Sequence, residues 1–250
     1  FGSQKISDFH GKGRALTVPE IFIYSSNIGS ARMALKVGSE AQRAFFEKIA
    51  FHRKLETELP EVAAPLYPKR LAEISTATQA FGHGISVTPM HTAVAGAAVI
   101  NGGRFIQPTF FKRTREEADK VAVQVLKPET SDKMRYLFRL NNTPGSGGSG
   151  SKADVPGYLV GGKTGTAEKI EHGRYSGNKR FNSYLAAFPM DDPQYLVLVV
   201  IDEPKPEKDI GAATAGLNAA PTVGAIIRRI APMLGVMPRY DQTKPIVASN

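Results

Sequence analysis

GGKTGTAEK, Gly161 to Lys169, is the stretch on which the fold turns. Two glycines, a lysine, Thr-Gly-Thr and a further charged pair stand where the flanking residues read as a strand. A phosphate-binding loop needs a glycine-rich run ahead of Gly-Lys-Ser/Thr and must open a helix, so that backbone amides converge on the phosphate. Here Gly157, within Val-Pro-Gly-Tyr-Leu-Val, stands five residues before Gly162, but the downstream residues are strand-like and open no helix. The phosphate reading fails. What remains is a strand with glycines near a sheet edge, where glycine often marks the close approach of a ligand or another backbone. Lys163, Thr164 and Thr166 would offer such a visitor a charge and two hydroxyls.

Working outward, Tyr158–Lys169, Phe181–Pro189 and Tyr195–Asp202 read as strands joined by polar turns such as Met190–Pro193. Hairpin connections of this kind predict an antiparallel sheet. Pro221 to Leu234 reads as an amphipathic helix whose Val223, Ile226, Ile227 and Ile230 would cover that sheet.

Upstream the chain turns helical. Thr17-Val-Pro-Glu20 has the signature of a helix start with a capping box. Its apolar face runs into Ser25-Ser26-Asn27, residues that disfavour helix interiors because their side chains compete for the backbone. Periodicity resumes from Ala31 to Val37 and stops at Gly38, so Ser25-Ser26-Asn27 reads as a break between two helices, with polar side chains at a buried junction. Ser39 to Phe51 reads as another helix, with Ser39 and Gln42 as a second capping box. Arg53 to Arg70 has no clean period and reads as an irregular surface segment. Thr88-Pro89 opens an apolar helix that ends at Asn101-Gly102-Gly103. Phe105–Lys112 and Val121–Leu126 read as a hairpin joined by the charged Arg113–Lys120, and Ser131–Leu140 as a helix. NTPGSGGSGS, Asn142 to Ser151, has the composition of a flexible linker, and one sequence leaves open whether it is native or engineered. The sum is an α+β fold with a mainly helical part, residues 1–157, a sheet with its closing helix, residues 158–236, and a tail, residues 237–250.

Composition narrows the chemistry. At 42% hydrophobic and 22% charged, the 250 residues suit an ordinary folded domain. No apolar run approaches the roughly 18 residues of a membrane-spanning helix. Without cysteine there are no disulfides, thiolate metal sites or cysteine nucleophiles. The net charge of +9 favours anionic neighbours, but the basic residues are scattered and no nucleic-acid surface is expected. The five histidines show no metal-ligand spacing, and His83 and His91 read as structural. No carboxylate pair suggests acid/base work, and Asp191-Asp192-Pro193 reads as a turn.

Ser25-x-Asn27 at a helix break, followed far downstream by Lys163-Thr164-Gly165 on a strand, resembles the penicillin-recognising acyltransferases, whose motif set includes Ser-x-x-Lys, a Ser-x-Asn element and Lys-Thr-Gly. AFGHGISVTPM, Ala80 to Met90, running through Asn101-Gly-Gly103, strengthens the likeness, which covers most of the chain from Thr17 to the final helix. It looks closest to class B penicillin-binding proteins of the cell-division type, the septal peptidoglycan DD-transpeptidases. That resemblance implies a penicillin-recognising transpeptidase/β-lactamase-like fold, with an antiparallel sheet flanked by helices and a helical subdomain. It also implies roles. Ser25 would relay a proton towards the leaving D-alanine, and Asn27 would bind the substrate's backbone amide and hold the lysine base. Lys163 would attract the substrate's terminal carboxylate, which Thr164 and Thr166 would bind. Gly162 and Gly165 would let the peptide approach, and the Thr166 backbone N–H would form half of an oxyanion hole. Expected partners are peptidoglycan peptide stems lying along the strand edge, β-lactams and divisome proteins, with no metal or organic cofactor. The implied location is the periplasmic face of the bacterial inner membrane, with an anchor outside this chain.

In this family a serine attacks the D-Ala-D-Ala carbonyl while a lysine one helical turn later takes its proton. That Ser-x-x-Lys precedes Ser-x-Asn in the family, and the residues before Ser25 contain none. Thr130–Lys133, Ser149–Lys152 and Thr166–Lys169 have the spacing but lie downstream. Ser149 sits in the glycine-rich loop, and on a strand positions 166 and 169 point to opposite faces. The expectation is a chain without its acylating serine and without the family's first two strands, hence a three-stranded sheet with an exposed edge and no penicillin adduct on this chain alone. Other readings are a DD-carboxypeptidase or β-lactamase, the latter disfavoured by the lack of a deacylating glutamate motif, or a non-catalytic module that contacts division or wall partners.

Overall fold

The computed structural model describes residues 5–68, 72–172, 174–206 and 213–240. They form two compact units, Phe1–Asp132 and Lys133–Asn250, which divide inside a helix and are treated separately below. No helix among the described residues is long and apolar enough to cross a membrane.

The first unit opens with α1 (Val18–Ile23), and the capping box forms as its sequence dictates. Thr17 Oγ1 accepts from the Glu20 N–H while Glu20 Oε2 accepts from the Thr17 N–H at 2.9 Å. α2 (Asn27–Val37) follows after the serine break and stops at Gly38, whose φ of 91° closes the helix. α3 spans Ser39–Lys48, shorter than the sequence predicts. Its second capping box does not form: Gly38 occupies the cap, and the Gln42 side-chain amide instead donates to the Thr76 carbonyl at 3.1 Å. The tie to Thr76 turns the amide away from the helix start, so Gln42 Oε1, the atom a capping box would use, has no partner among the described residues. α4 (Glu73–Gln79) and the apolar α5 (Pro89–Ile100) complete this set. His91 on α5 is fully buried with both ring nitrogens engaged, one by Thr88 Oγ1 at 2.7 Å and one by the Arg53 carbonyl at 2.9 Å. A small core forms from Ile49, Ala50, Leu55, Ala95, Ala98 and Phe105.

The predicted hairpin over 105–126 shrinks to two-residue strands, β1 (Arg104–Phe105) and β2 (Val123–Gln124). Between them the charged run is a helix, α6 (Arg115–Val121), with its own capping box from Thr114 and Glu117. α7 (Pro128–Asn142) starts earlier and ends later than its pattern suggests, and contains the division between the units.

The second unit is an antiparallel sheet in the order β3-β4-β5, formed by β3 (Gly161–Glu171), β4 (Arg174–Phe188) and β5 (Tyr195–Asp202). On one face the register stacks Gly162, Ala186 and Val197; Thr164, Tyr184 and Val199; and Thr166, Asn182 and Ile201. α8 (Ala219–Met233) packs on β4 and β5, its Val223 and Ile227 fully buried against Tyr184, Ala186 and Val197. Burying each such side chain contributes about 2 kcal/mol. Among the described residues β3 pairs only with β4 and β5 only with β4, so both outer edges of this three-stranded sheet lack a partner strand.

The glycine-rich loop is not a linker. The Gly150 N–H donates to the Asn141 carbonyl, and Ser149 N–H and Oγ both reach Asn141 Oδ1, at 3.1 and 3.3 Å. A Cβ at Gly148 would lie 2.2 Å from the Asn141 carbonyl oxygen, and one at Gly150 would lie 2.2 Å from the Tyr184 hydroxyl. The loop is glycine-rich because it is packed against a buried Asn141-Asn142-Tyr184 cluster, and that stereochemistry marks it as a built part of the fold.

Candidate active site

Ser25, Ser26 and Asn27 occupy the turn between α1 and α2. Ser25 is exposed and holds a left-handed φ of 52°, a region that costs a non-glycine residue on the order of 1–3 kcal/mol and concentrates at functional sites. Ser26 is 4% exposed and caps α2 by accepting from the Gly29 N–H at 3.0 Å. The stabilisation comes from a residue that the sequence does not point to. Asp8 accepts from Ser26 Oγ at 2.9 Å and from the Ile28 N–H at 3.0 Å, so its carboxylate closes the first turn of α2. Asn27 Nδ2 donates to the neighbouring Ser7 carbonyl at 3.0 Å, which fixes the side chain that the resemblance assigns to substrate.

Lys163, Thr164, Gly165 and Thr166 all lie on β3, the edge strand. In an antiparallel ladder each residue turns its N–H and C=O to one side, and the sides alternate along the strand. The Val160 carbonyl accepts from Arg139 Nη1 and the Gly162 carbonyl from Asn141 Nδ2, both at 2.8 Å, while the Thr164 carbonyl accepts from Lys163 Nζ at 3.3 Å. Even-numbered positions therefore turn their backbone groups away from β4. The same parity places the Thr166 N–H on the outer edge, where the oxyanion-hole expectation needs it. Gly162 is buried, and a Cβ there would lie 2.5 Å from the Tyr184 ring, so packing is what requires glycine at this position. Gly165 is more open, and a Cβ would meet only Ser183 Oγ, at 2.6 Å.

Two hydroxyls on β3 are held from behind. Thr164 Oγ1 lies 2.8 Å from Ser149 Oγ, and Thr166 Oγ1 accepts from the Ala215 N–H at 3.2 Å. Thr166 is itself exposed, so its hydroxyl proton is left to donate outward. Lys163 keeps part of its side-chain surface exposed, but protein atoms crowd its ammonium, and desolvation pulls its pKa down to about 8. An enclosed cation of this kind attracts an anion more strongly than a solvated one does. Tyr184, buried and donating to Asn142 Oδ1, has its pKa raised by desolvation, which keeps it neutral.

Among the described residues no hydrogen bond joins hydroxyl to lysine in the three Ser/Thr-x-x-Lys stretches named above, nor in two more with that spacing, Thr109–Lys112, where Thr109 Oγ1 donates to Glu58, and Ser176–Lys179, where Lys179 pairs with Glu171. Thr166–Lys169 lies along a strand, and Lys169 is bound to Asp202 and Glu203. Ser149 is tied to Asn141 and Thr164, while Lys152 is exposed. Thr130 is exposed near the start of α7. Sequence reasoning missed Asp8, Asn141 and Ser149 as supports of the two motifs.

A Ser-x-Asn turn between helices, followed by a Lys-Thr-Gly edge strand with a helix packed on its sheet, defines the penicillin-recognising acyltransferase class. The penicillin binding protein transpeptidase domain model matches residues 1–228. The chain belongs to that family. It is 39% identical over 242 residues to a Caulobacter vibrioides protein described as "Probable peptidoglycan D,D-transpeptidase FtsI", covering 94% of this chain and 41% of that protein. Stage V sporulation protein D of Bacillus subtilis is 35% identical, with 90% of this chain and 36% of that protein covered. The chain thus spans less than half the length of these relatives. Among solved structures, the transpeptidase domain of Burkholderia pseudomallei penicillin-binding protein 3 superposes with a TM-score of 0.83 at 31% identity, covering 93% of this chain and 68% of that one. Penicillin-binding protein 3 of Mycobacterium tuberculosis complexed with ampicillin gives a TM-score of 0.80 at 25% identity, covering 94% and 54%.

Proposed function

We propose that this chain serves a serine-type DD-transpeptidase, which cross-links peptidoglycan peptide stems through an acyl-enzyme during septal wall synthesis at the periplasmic face of the bacterial inner membrane and is inhibited by β-lactams. The observation that carries the reading is β3: an edge strand with Lys163 partly desolvated, two threonine hydroxyls held from behind, and the Thr166 N–H turned outward. Lys163 supplies the charge that draws in a substrate carboxylate, and the Thr164 and Thr166 hydroxyls bind it. The Thr166 N–H stabilises the oxyanion of the tetrahedral intermediate, and Gly165 leaves room for the peptide. Asn27 binds the substrate amide through its remaining carbonyl oxygen, and Ser25 relays the proton to the leaving amine. The attacking serine and its lysine base form a Ser-x-x-Lys helix turn, a motif that this sequence does not present ahead of Ser25. The cell-division assignment, with divisome proteins as partners, rests on the resemblance and on the identity with FtsI. Sensitivity to β-lactams is supported by the ampicillin and aztreonam complexes of the Mycobacterium tuberculosis protein.

The test is acylation of the full gene product by a fluorescent penicillin. Stoichiometric labelling is expected, with Lys163→Ala slowing it by about 10²–10³-fold, the usual loss on removing one electrostatic group from such a site. Labelling that Lys163→Ala leaves untouched would overturn the reading. Product analysis with a stem-peptide donor then separates the reactions: cross-linked dimer marks a transpeptidase, whereas release of D-alanine alone marks a carboxypeptidase.

A further inference from the structure

Asn182 is an anomaly of the β4 face. It stands directly across from Thr166 on β3 and Ile201 on β5, and it is fully buried. Its Oδ1 has no hydrogen-bond partner among the described residues. A buried acceptor left unmatched is unfavourable by about 1–3 kcal/mol, so an apolar residue would suit this position better unless the other half of the amide has work to do. It has two tasks. Nδ2 donates to the Ala213 carbonyl at 2.8 Å and to Asn218 Oδ1 at 3.1 Å. The carbonyl acceptor at Ala213 also fixes which way the amide points, since a reversed amide would set two oxygens against each other.

These donations bracket one residue. Ala213 and Asn218 lie on either side of Ala215, and Ala215 is the fully buried residue whose N–H meets Thr166 Oγ1 at 3.2 Å. Asn218 in turn accepts from the Ala219 N–H at 2.7 Å and so starts α8. Gly216, inside the bracketed segment, would bring a Cβ to 3.0 Å from the Ser149 carbonyl oxygen, so the segment has little room to slide. Among the described residues Thr166 Oγ1 accepts only from the Ala215 N–H, and its proton is left for the open edge.

We propose that Asn182 is a positioning residue for the transpeptidation reading above: it pins both ends of the 213–218 segment and thereby aims the Ala215 N–H at Thr166, which presets the Thr166 hydroxyl as a donor to the substrate carboxylate. Asn182 touches no substrate. Its effect passes through the segment to one hydroxyl, and the proposal rests on Thr166 serving the function given in the preceding subsection.

That dependence suggests a double-mutant cycle on the full gene product, read as the second-order rate of acylation by benzylpenicillin and by its methyl ester, which lacks the carboxylate charge. Thr166→Val is expected to slow acylation by benzylpenicillin about tenfold, the weight of one hydrogen bond to a charged group, and Asn182→Ala by nearly as much. The double variant should be no slower than Thr166→Val alone, because the two changes remove one interaction. With the methyl ester the Asn182→Ala deficit should shrink to within about twofold, a selectivity that general loosening of the fold would not produce. Asn182→Thr fills the site and suits a strand but lacks the paired donors, and serves as the second variant should Asn182→Ala fail to fold. Additive losses in the double variant, no loss in a folded Asn182 variant, or equal losses with the acid and the ester would overturn the proposal while leaving the reading of Thr166 intact. If Thr166→Val acylates like the parent, the reading of Thr166 fails and the proposal falls with it.

Discussion

The two recognisable motifs of this chain are held by opposite means. The Ser25-Ser26-Asn27 turn is a polar construction at a helix end: a strained exposed serine, a buried serine cap, and Asp8 closing the first turn of α2 from 18 residues upstream. The Lys163–Thr166 strand is a steric construction: ladder pairing on one side, the Tyr184 ring over Gly162, and a glycine loop pressed against buried amides behind it. The first should yield to loss of a charge and the second to gain of a methyl group. Capped turns open more readily than packed strands, so the two motifs should differ in local stability.

Added volume in the loop behind β3 should have the larger effect. Gly150→Ala sets a methyl where the Tyr184 hydroxyl, Asn142 Oδ1 and Asn141 Nδ2 lie within 2.7 Å of it, so the buried Tyr184–Asn142 hydrogen bond must break or the loop must lift. Overpacking of this kind together with a lost buried bond is expected to lower stability by about 3 kcal/mol, measured by urea unfolding. A variant within 0.5 kcal/mol of the parent, roughly the scatter of a neutral surface change, would show that the loop is not held as described.

At the other motif the sensitive group is Asp8. Asp8→Ala removes the acceptor shared by Ser26 Oγ and the Ile28 N–H, and is expected to lower stability by about 2 kcal/mol. Asp8→Asn, which can still accept from one donor, should recover about half of that. Hydrogen exchange gives a sharper reading, because the loss should appear first in the amides of the opening turn of α2, Ile28 and Gly29, and not in β3. Exchange that rises uniformly across both units would contradict a local cap.

These contrasts also explain what could be read from the chain. α1, α5, α8, β5 and the apolar part of β4 were legible because caps, prolines and apolar periods are local signals, whereas the polar first half of β4, from Arg174, gave no such signal; the order of Ser-x-Asn and Lys-Thr-Gly made the family legible. α6 was misread as a hairpin linker: none of its residues is buried, so it has no apolar period, and Thr114 and Glu117 were its only local signal. The glycine loop was misread because a flexible linker and a tightly packed loop share one composition, and the difference lies in Asn141 and Tyr184, which local pattern does not couple to it. Asp8 and Asn182 escaped for the same reason. Each acts on a motif through partners distant in sequence, Ser26 in the one case and Ala213 and Asn218 in the other.

The subtlest difference between the motifs is electrical, and it separates two effects of one lysine. Desolvation holds the Lys163 pKa at about 8, below the ordinary lysine range. Below about pH 8 the side chain is charged in both the folded and the unfolded chain. Between there and the ordinary lysine value the unfolded chain binds a proton that the folded one does not, so stability rises with pH across that window. Recognition of a carboxylate by charge runs the other way and falls through the same window, by about tenfold for each pH unit above 8 once the proton is lost. Urea unfolding of this chain at pH 7.5 and 9.5 should therefore show a rise that Lys163→Met abolishes, while acylation of the full gene product by benzylpenicillin falls over the same range. Lys163→Arg, charged at both pH values, should flatten the alkaline fall in whatever acylation it retains. A stability rise that survives in Lys163→Met would assign the titration to another group, and would leave the Ser25 and Lys163 regions alike in their response to pH.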